Sequence, residues 1–491
     1  MGSKENIMGK ILIVGGGVAG LSAGIHARLS GHSATVLEQH FISGGNLTGW
    51  KRGEYHIDNC IHWLTGTNKN SSTYKTWKTL GALDNTEIVK ENTLYTCRIN
   101  GQSLSLCRDI EKFRADLLAL SPEDEREIEF LIASIKTLMY LNGIGGEEKN
   151  EGLTLGRLIS GAPSLVKLYS MSNADLASKF KNPLIRFFLT RFIGEDFGAL
   201  AIVMVFATFM GDNGDLPKGG SRRMAENIEK RFRDLGGELI LGAEVTMINV
   251  ENGLARSVTL KDGRELFADY VIVTADPATV FGRLLDLPMP RALKKQYESE
   301  RLYRFSSYHT AFACDTDKLP FEADIFLDVP TKYQGKLHTK TLAIREFSHE
   351  PSYAPEGKTV VQTMVYCKEE FAKELINLRN SDREAYKEKK KEIAKIIEQM
   401  IRSEFPELDG KLHLLDVWTP ATYNRFVSSE IGSFMSFLMP KNHLPLPLDN
   451  RVPGAKNLFL ATQWLQSPGG LPLAADSGRN AIKRINKSLD K

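Results

Sequence analysis

The sequence is poor in most features that give a function away at once. Its five cysteines, Cys60, Cys97, Cys107, Cys314 and Cys367, are odd in number, and no two stand at metal-ligand spacing. Neither a disulfide framework nor a zinc or other metal site is therefore expected, and a reducing, cytoplasmic setting fits best. An excess of one charge is missing as well, since 63 basic residues face 60 acidic ones for a formal net of +3. Nucleic-acid binders concentrate positive charge in a patch or stripe, so no nucleic-acid partner is expected. The longest apolar run without a charge, Phe197 to Met210, lies between Asp196 and Asp212. It falls short of the about 20 residues that span a bilayer and reads as a buried helix, with peripheral contact at a membrane surface left open. The start, Met1 to Lys10, is polar and holds no apolar signal core. Internal repeats and low-complexity linkers are absent.

What is present is globular: 491 residues, 42% hydrophobic and 25% charged, enough for a large core. The strongest local pattern runs from Lys10 to Glu38. Ile11-Leu12-Ile13-Val14 is a continuous apolar run, as in a parallel strand covered on both faces. Gly15, Gly17 and Gly20 then fit G-x-G-x-x-G, Leu21 to Leu29 reads as a helix, and Ala34 to Leu37 is a second apolar run ending on Glu38. In this pattern the first glycine permits the tight turn, the second the approach of a pyrophosphate, and the third close helix packing. The helix N-terminus offers unpaired N–H groups to the phosphates. Glu38, 18 residues beyond Gly20, is placed to accept ribose hydroxyls and would repel a 2′-phosphate. The motif alone leaves FAD and NAD open.

Further along, Ser221 reads as the N-cap of a helix with an apolar stripe at Met224, Ile228, Phe232 and Leu235, closed by Gly236-Gly237. Asn252-Gly253 and Asp262-Gly263 are hairpin signals, and Tyr270 to Val273 reads as a strand. Asn457 to Thr462 reads as a buried strand, Gln463 to Pro472 as a loop of breakers, and Leu473 to Ile485 as a closing helix. That second helix N-terminus offers further unpaired N–H groups to an oxygen that carries or gains negative charge. Pro122 to Leu138 reads as a helix capped by Ser121, and Leu165 to Met210 as helical pieces broken at Asn182-Pro183. From Leu287 to Pro440 strands mix with a helix whose apolar face is Ile393, Ile396, Ile397, Met400 and Ile401. Lys387 to Lys391 form its solvated side.

Gly44-Gly45 after the acid, then Tyr55-His56-Ile57-Asp58, resembles the FAD-containing superfamily that includes amine oxidases and phytoene desaturases. Asn46 stands where that family often has Arg. Leu216 to Ser221, Thr419 to Arg425 with Gly432-Ser433, and Ser467 to Pro472 look like the branch containing phytoene desaturases, carotenoid cis-trans isomerases and retinol saturases. The resemblance implies an α/β fold: a Rossmann-like FAD-binding domain built from discontinuous segments, 9–100, 215–285 and 445–491. An α+β substrate-binding domain with a helical, lid-like part is inserted as 101–214 and 286–444.

It implies FAD as cofactor, with contacts at Gly15, Gly17, Val18, Ala19, Gly20, Glu38, Gln39, Gly44, Gly45, Asn46, Val245, Asp276, Gly469, Gly470, Leu471 and Pro472. It further implies an apolar polyene, carotenoid, retinoid or lipid substrate whose double bonds are desaturated, saturated or isomerised. The alternatives are an amine oxidase or protoporphyrinogen oxidase, and a flavin-loaded binding protein without turnover. Leu235-Gly236-Gly237-Glu238 lacks the spacing and preceding strand of a second dinucleotide motif, so the electron donor or acceptor stays open. No catalytic residue stands out. His56, His62, Tyr423 and Arg425 lie near the expected flavin, and each has a structural role as the alternative; Cys60 reads as a small buried residue.

Overall fold

The run after Lys10 forms the strand Lys10–Val14 inside a six-stranded sheet. In this computed structural model, which describes residues 9–141 and 155–489, the start of the chain up to Met8 lies outside the described residues. Lys10–Val14 pairs in parallel with Ser33–Glu38 on one side and Tyr270–Val273 on the other. Glu238–Leu241 and Ala455–Leu460 extend the sheet in parallel, and Arg451–Val452 closes one edge antiparallel. Strands from the beginning, middle and end of the chain thus share one sheet, the expected α/β Rossmann-like domain of discontinuous segments.

Alternation explains the unbroken apolar run. Ile11 and Ile13 pack with Leu21, Ile25, Ile228, Phe232, Ile482 and Ile485 from three helices, Val18–Leu29, Gly220–Asp234 and Leu471–Leu489. Leu12 and Val14 point the other way, onto Val245, Ile248, Val258 and Leu260 of an antiparallel ribbon. Both faces of the strand are covered, so no position tolerates a polar residue. Asn252 and Gly253 both take positive φ, 53° and 74°, in the ribbon's expected hairpin turn. Asp262-Gly263 turns into a further short strand, Glu265–Phe267, before the chain returns to the sheet at Tyr270.

A second sheet has seven strands in the order Leu412–Trp418, Phe305–Cys314, Thr359–Lys368, Thr341–Arg345, Asp324–Asp328, Thr93–Ile99, Gln102–Cys107. The expected segment border at residue 100 falls in the turn between its last two strands. Arg383–Glu404 covers one face with the expected isoleucines, while Lys387 and Lys391 stay exposed in ion pairs with Glu384 and Glu388. On the other face lie Glu125–Leu141, Leu155–Tyr169, Asn173–Ala177, Pro183–Arg191 and Ala199–Met210. Asn182 caps Pro183–Arg191, so the expected break is a helix start.

Two expected caps are different in the structure. Ser121 donates its hydroxyl to Asp124 at 2.7 Å instead of accepting a backbone N–H, and a short 3-10 turn, Pro122–Asp124, precedes the helix. Ser221 lies inside its helix, whose N-cap is Gly219 at φ +82°. Asp58 does the capping from across the fold: it accepts from Ser221 N at 2.7 Å and Ser221 Oγ at 2.6 Å. It also accepts from Cys60 N at 3.1 Å and Tyr353 Oη at 3.2 Å. A buried carboxylate with four donors belongs to the strong class of hydrogen bonds. Asp58→Ala leaves those donors unpaired and is expected to cost at least about 3 kcal/mol, read as a lower urea midpoint. An unchanged midpoint would show that Ser221 and Tyr353 find other acceptors.

Candidate functional site

A cavity of about 860 Å³ is walled by both sheets and the helical layer. Fifteen of the sixteen expected contact residues meet on its wall: Gly15, Gly17, Val18, Ala19, Glu38, Gln39, Gly44, Gly45, Asn46, Val245, Asp276, Gly469, Gly470, Leu471 and Pro472. Gly20 stands behind it. A Cβ there would lie 1.9 Å from the Gly15 carbonyl oxygen, so Gly20 serves the packing of the helix against its own turn.

The glycines differ in what they do. Gly15 sits at φ +107°, and a Cβ on it would meet Thr274 Oγ1 at 2.3 Å, so both conformation and space demand glycine. Gly17, the N-cap of Val18–Leu29, has ordinary φ, and nothing lies nearer to a Cβ there than Gly45 Cα at 3.8 Å. That side of Gly17 opens on the cavity. The helix it begins, expected from Leu21, starts at Val18, with no side-chain cap and no acid in the first turn, which leaves its N–H groups and partial positive charge to an anion. The second glycine pair is held against the first turn, with Gly44 N donating to Gly16 O at 2.9 Å.

Glu38 is 6% exposed and accepts from Gly16 N at 2.7 Å and His40 N at 3.0 Å, one bond to each oxygen. Each oxygen keeps acceptor capacity toward the cavity. Asp276 is committed differently: Tyr297 Oη, Ala278 N, Ser429 Oγ and Glu430 N all donate to it, at 2.5 to 3.1 Å. Its carboxylate braces the Ser429–Glu430 loop. At the chain's end Gly470, φ +97°, donates to Gln463 Oε1 at 2.7 Å and leads into Leu471–Leu489, with Pro472 in the first turn.

Three buried oxygens on the wall, Asn46 Oδ1, Ser433 Oγ and Ser467 Oγ, have no protein partner. Buried polar groups are normally paired. With the two helix N-termini and the opening at Gly17, they suit a large polar ligand such as FAD.

Beyond this end the wall becomes apolar. Ala199–Met210 buries Ile202, Val203 and Phe206 in the core and turns Leu200, Met204 and Val205 to the cavity, so the expected buried helix is buried on one side only. Phe192, Phe326 and Met364 continue the surface. Between the two ends sits a polar cluster. Ser307 Oγ lies 2.8 Å and Tyr423 Oη 3.1 Å from His309 Nε2, and Tyr423 Oη donates to Asn59 Oδ1 at 2.9 Å. Asn59 Nδ2 in turn donates to Asn46 O at 3.0 Å, and His309 stacks on Trp418 at 4.7 Å.

These groups are held neutral. Burial, with Arg345 adding to it, pulls His309 down to about 3. Burial also holds His62 well below its usual range and pushes Cys60 up to about 12. His62, Cys60 and Tyr423 line the cavity. His56 does not: its ring packs on Tyr353 at 4.3 Å. Arg425 is exposed and is not part of the cavity wall. Ser307 and His309 escaped the sequence reading because the other face of Phe305–Cys314 carries buried polar residues as well, Ser306 and Thr310. The strand's ten residues are all buried, with Ser307, His309 and Ala311 alternating against Tyr308, Phe312 and Cys314 of the core beneath.

Residues 18–486 match the family described as flavin containing amine oxidoreductase. The chain is 25% identical to prolycopene isomerase of Daucus carota over 484 residues, 89% of this chain and 74% of that protein. It is 23% identical to 4,4'-diaponeurosporene oxygenase of Staphylococcus aureus, covering 97% of this chain and 98% of the other. An oxidoreductase from Methanosarcina mazei shares its fold with a TM-score of 0.59 at 17% identity, over 97% of this chain and 100% of that one. Putrescine oxidase bound to putrescine does so with a TM-score of 0.58 at 15% identity, over 98% and 99%.

The opening at Gly17 yields a test that separates folding from cofactor loading. Gly17→Val adds volume on the cavity side without a protein clash, so the variant is expected to melt like the parent and to purify colourless. A thermal melt and an absorbance spectrum check this, and a variant with full FAD content would show that Gly17 does not face the cofactor. With the match spanning nearly the whole chain and both glycine turns on one cavity wall, the chain belongs to the flavin-containing amine oxidoreductase family and is an FAD-dependent oxidoreductase.

Proposed function

We propose that the enzyme acts on carbon–carbon double bonds of a long apolar polyene, of carotenoid, retinoid or lipid type. The observation that carries this reading is the hydrocarbon wall of Phe192, Leu200, Val205, Phe326 and Met364, continuous with the glycine-lined end of the same cavity. Relatives named for prolycopene and diaponeurosporene support it.

In this reading Gly15, Gly17 and the N-terminus of Val18–Leu29 hold the pyrophosphate, Glu38 takes the ribose hydroxyls, and Val245 lies beside the adenine. Asn46 and Gly469 to Pro472 flank the flavin ring. Bound FAD supplies two-electron chemistry. The protein contributes exclusion of water by the apolar wall and orientation of the polyene along it. The neutral Tyr423–His309–Asn59 cluster adds polarity at the junction without a charge. Anaerobic mixing with a cis-polyene or a saturated precursor is expected to bleach the flavin absorbance, or to return an isomer by chromatography, whereas putrescine leaves both unchanged. Bleaching by the amine alone would overturn the reading.

Among the described residues no helix is long and apolar enough to cross a membrane. Met204 and Leu444 line the cavity and are also 41% and 60% exposed, so the cavity opens between them, with Leu446 exposed nearby. We propose that this mouth rests on a lipid surface and receives substrate from it. Leu444→Glu is expected to reduce co-sedimentation with phospholipid vesicles while leaving FAD content unchanged; equal sedimentation would refute the contact.

A further inference from the structure

Behind the apolar wall lies a small chamber of about 30 Å³, room for about two water molecules. Asp324 and His62 wall both the chamber and the main cavity. Asp324 opens the strand Asp324–Asp328, and Phe326, two residues on, faces the substrate side with it. Glu322, which is exposed to solvent, is among the residues that border the chamber.

The Asp324 carboxylate is sparsely held. Among the described residues its one hydrogen bond is from Glu346 N at 3.3 Å, and Arg345 Nε lies 3.6 Å away. Arg345 spends Nη2 on Ile61 O at 2.7 Å, while among the described residues its Nε and His349 Nδ1 make no hydrogen bond, their nearest charges being Asp324 at 3.6 Å and Glu346 at 4.0 Å. Such orphaned groups around a polar void are what ordered water satisfies. The facing titratable groups are Arg345, Glu346 and His349 from the same loop, His62, Glu91 and Glu322 across it, and Asp215, paired with Arg108 at 2.5 Å. Burial dominates among these influences and pushes Asp324 up to about 7, with Arg345 opposing and Glu346 adding. Other titratable side chains on the cavity wall are poorer candidates: Asp276, which burial also raises, has its carboxylate taken by four donors at the cofactor end. His62 and His309 are held neutral, and Cys60 and Tyr423 keep their protons.

Resting on the function proposed above, we infer that Asp324 is the acid–base residue of the substrate cavity and that the chamber behind it passes its proton to solvent. Two hydrogens leave when a carbon–carbon bond is desaturated. One departs as hydride, carrying its electron pair to the oxidised flavin. The other departs as a proton to the Asp324 carboxylate, leaving its electron pair as the new π bond. Saturation runs the same transfers backwards, with the Asp324 carboxyl as donor.

The test begins without substrate. Infrared titration of the holoenzyme is expected to show a protonated carboxyl band that disappears as pH rises through about 7. It should vanish in Asp324→Asn and persist in Asp324→Glu, with FAD content and melting intact in both. Anaerobic bleaching by a polyene should rise with pH over the same range, because substrate oxidation needs the carboxylate. Asp324→Asn should slow it at least about a hundredfold and flatten the profile, and Asp324→Glu should restore part of the rate. A titrating band unchanged in Asp324→Asn, or a wild-type rate and pH profile in that variant, would overturn the assignment. If no polyene bleaches the wild-type flavin, the substrate reading falls, and the infrared titration decides Asp324 by itself.

Discussion

Two backbone turns touch at the head of the cavity, and the rest of the arrangement depends on that contact. Gly44 donates to the carbonyl of Gly16, and Gly17 and Gly44 pair as an isolated bridge. Gly45 comes so near that a Cβ on it would meet Gly17 Cα at 3.2 Å. A side chain on Gly45 would push the turns apart, and one on Gly16 would meet Glu38, which is bound to Gly16 N from the next strand. Keeping the two turns together puts the first helix N-terminus, the acid and Asn46 on one side of one cavity. The end of the chain supplies the opposite flank through Gly469 and Gly470, both at positive φ.

The interior follows one electrostatic rule. Groups close to the substrate path are stripped of charge by burial, His309 and His62 as bases and Cys60 and Tyr423 as acids. Formal charges that remain buried are tied down, as Asp58 is by four donors and Arg304 is by Glu369 and Glu430. An unpaired charge in such surroundings is costly, so neutralisation or pairing is the stable solution. Asp324 stands between the two cases: burial raises it without stripping its charge fully, and among the described residues it has one weak hydrogen bond, Arg345 at 3.6 Å and a void behind it.

The cofactor end was legible in the sequence because its signals are local. An apolar strand, a glycine turn, a helix and an acid at the end of the next strand all fall within Lys10 to Glu38, and the last loop announces itself by its breakers. Where partners lie far apart along the chain, legibility failed. Ser221 has the chemistry of an N-cap, yet the acceptor at that helix start is Asp58, 163 residues away, and the cap position belongs to a glycine. Asp324 and His309 sit in strands whose burial hides their facing, and nothing nearby marks which side meets the cavity. Their significance comes from tertiary placement, which neighbouring residues do not encode.

The first helix also depends on the last. Ser22 Oγ donates to Ala475 O at 2.7 Å across 453 residues of chain, and a Cβ on Gly478 would lie 2.3 Å from Ala19 O. Translation at the usual rate needs about 20 to 90 seconds to cover that distance. For that long the nascent helix Val18–Leu29 has no closing partner, and one flank of the cofactor cavity has not been made. The cofactor cavity is therefore completed only once the strand Ala455–Leu460 and the helix Leu471–Leu489 have been made and have docked on the first helix.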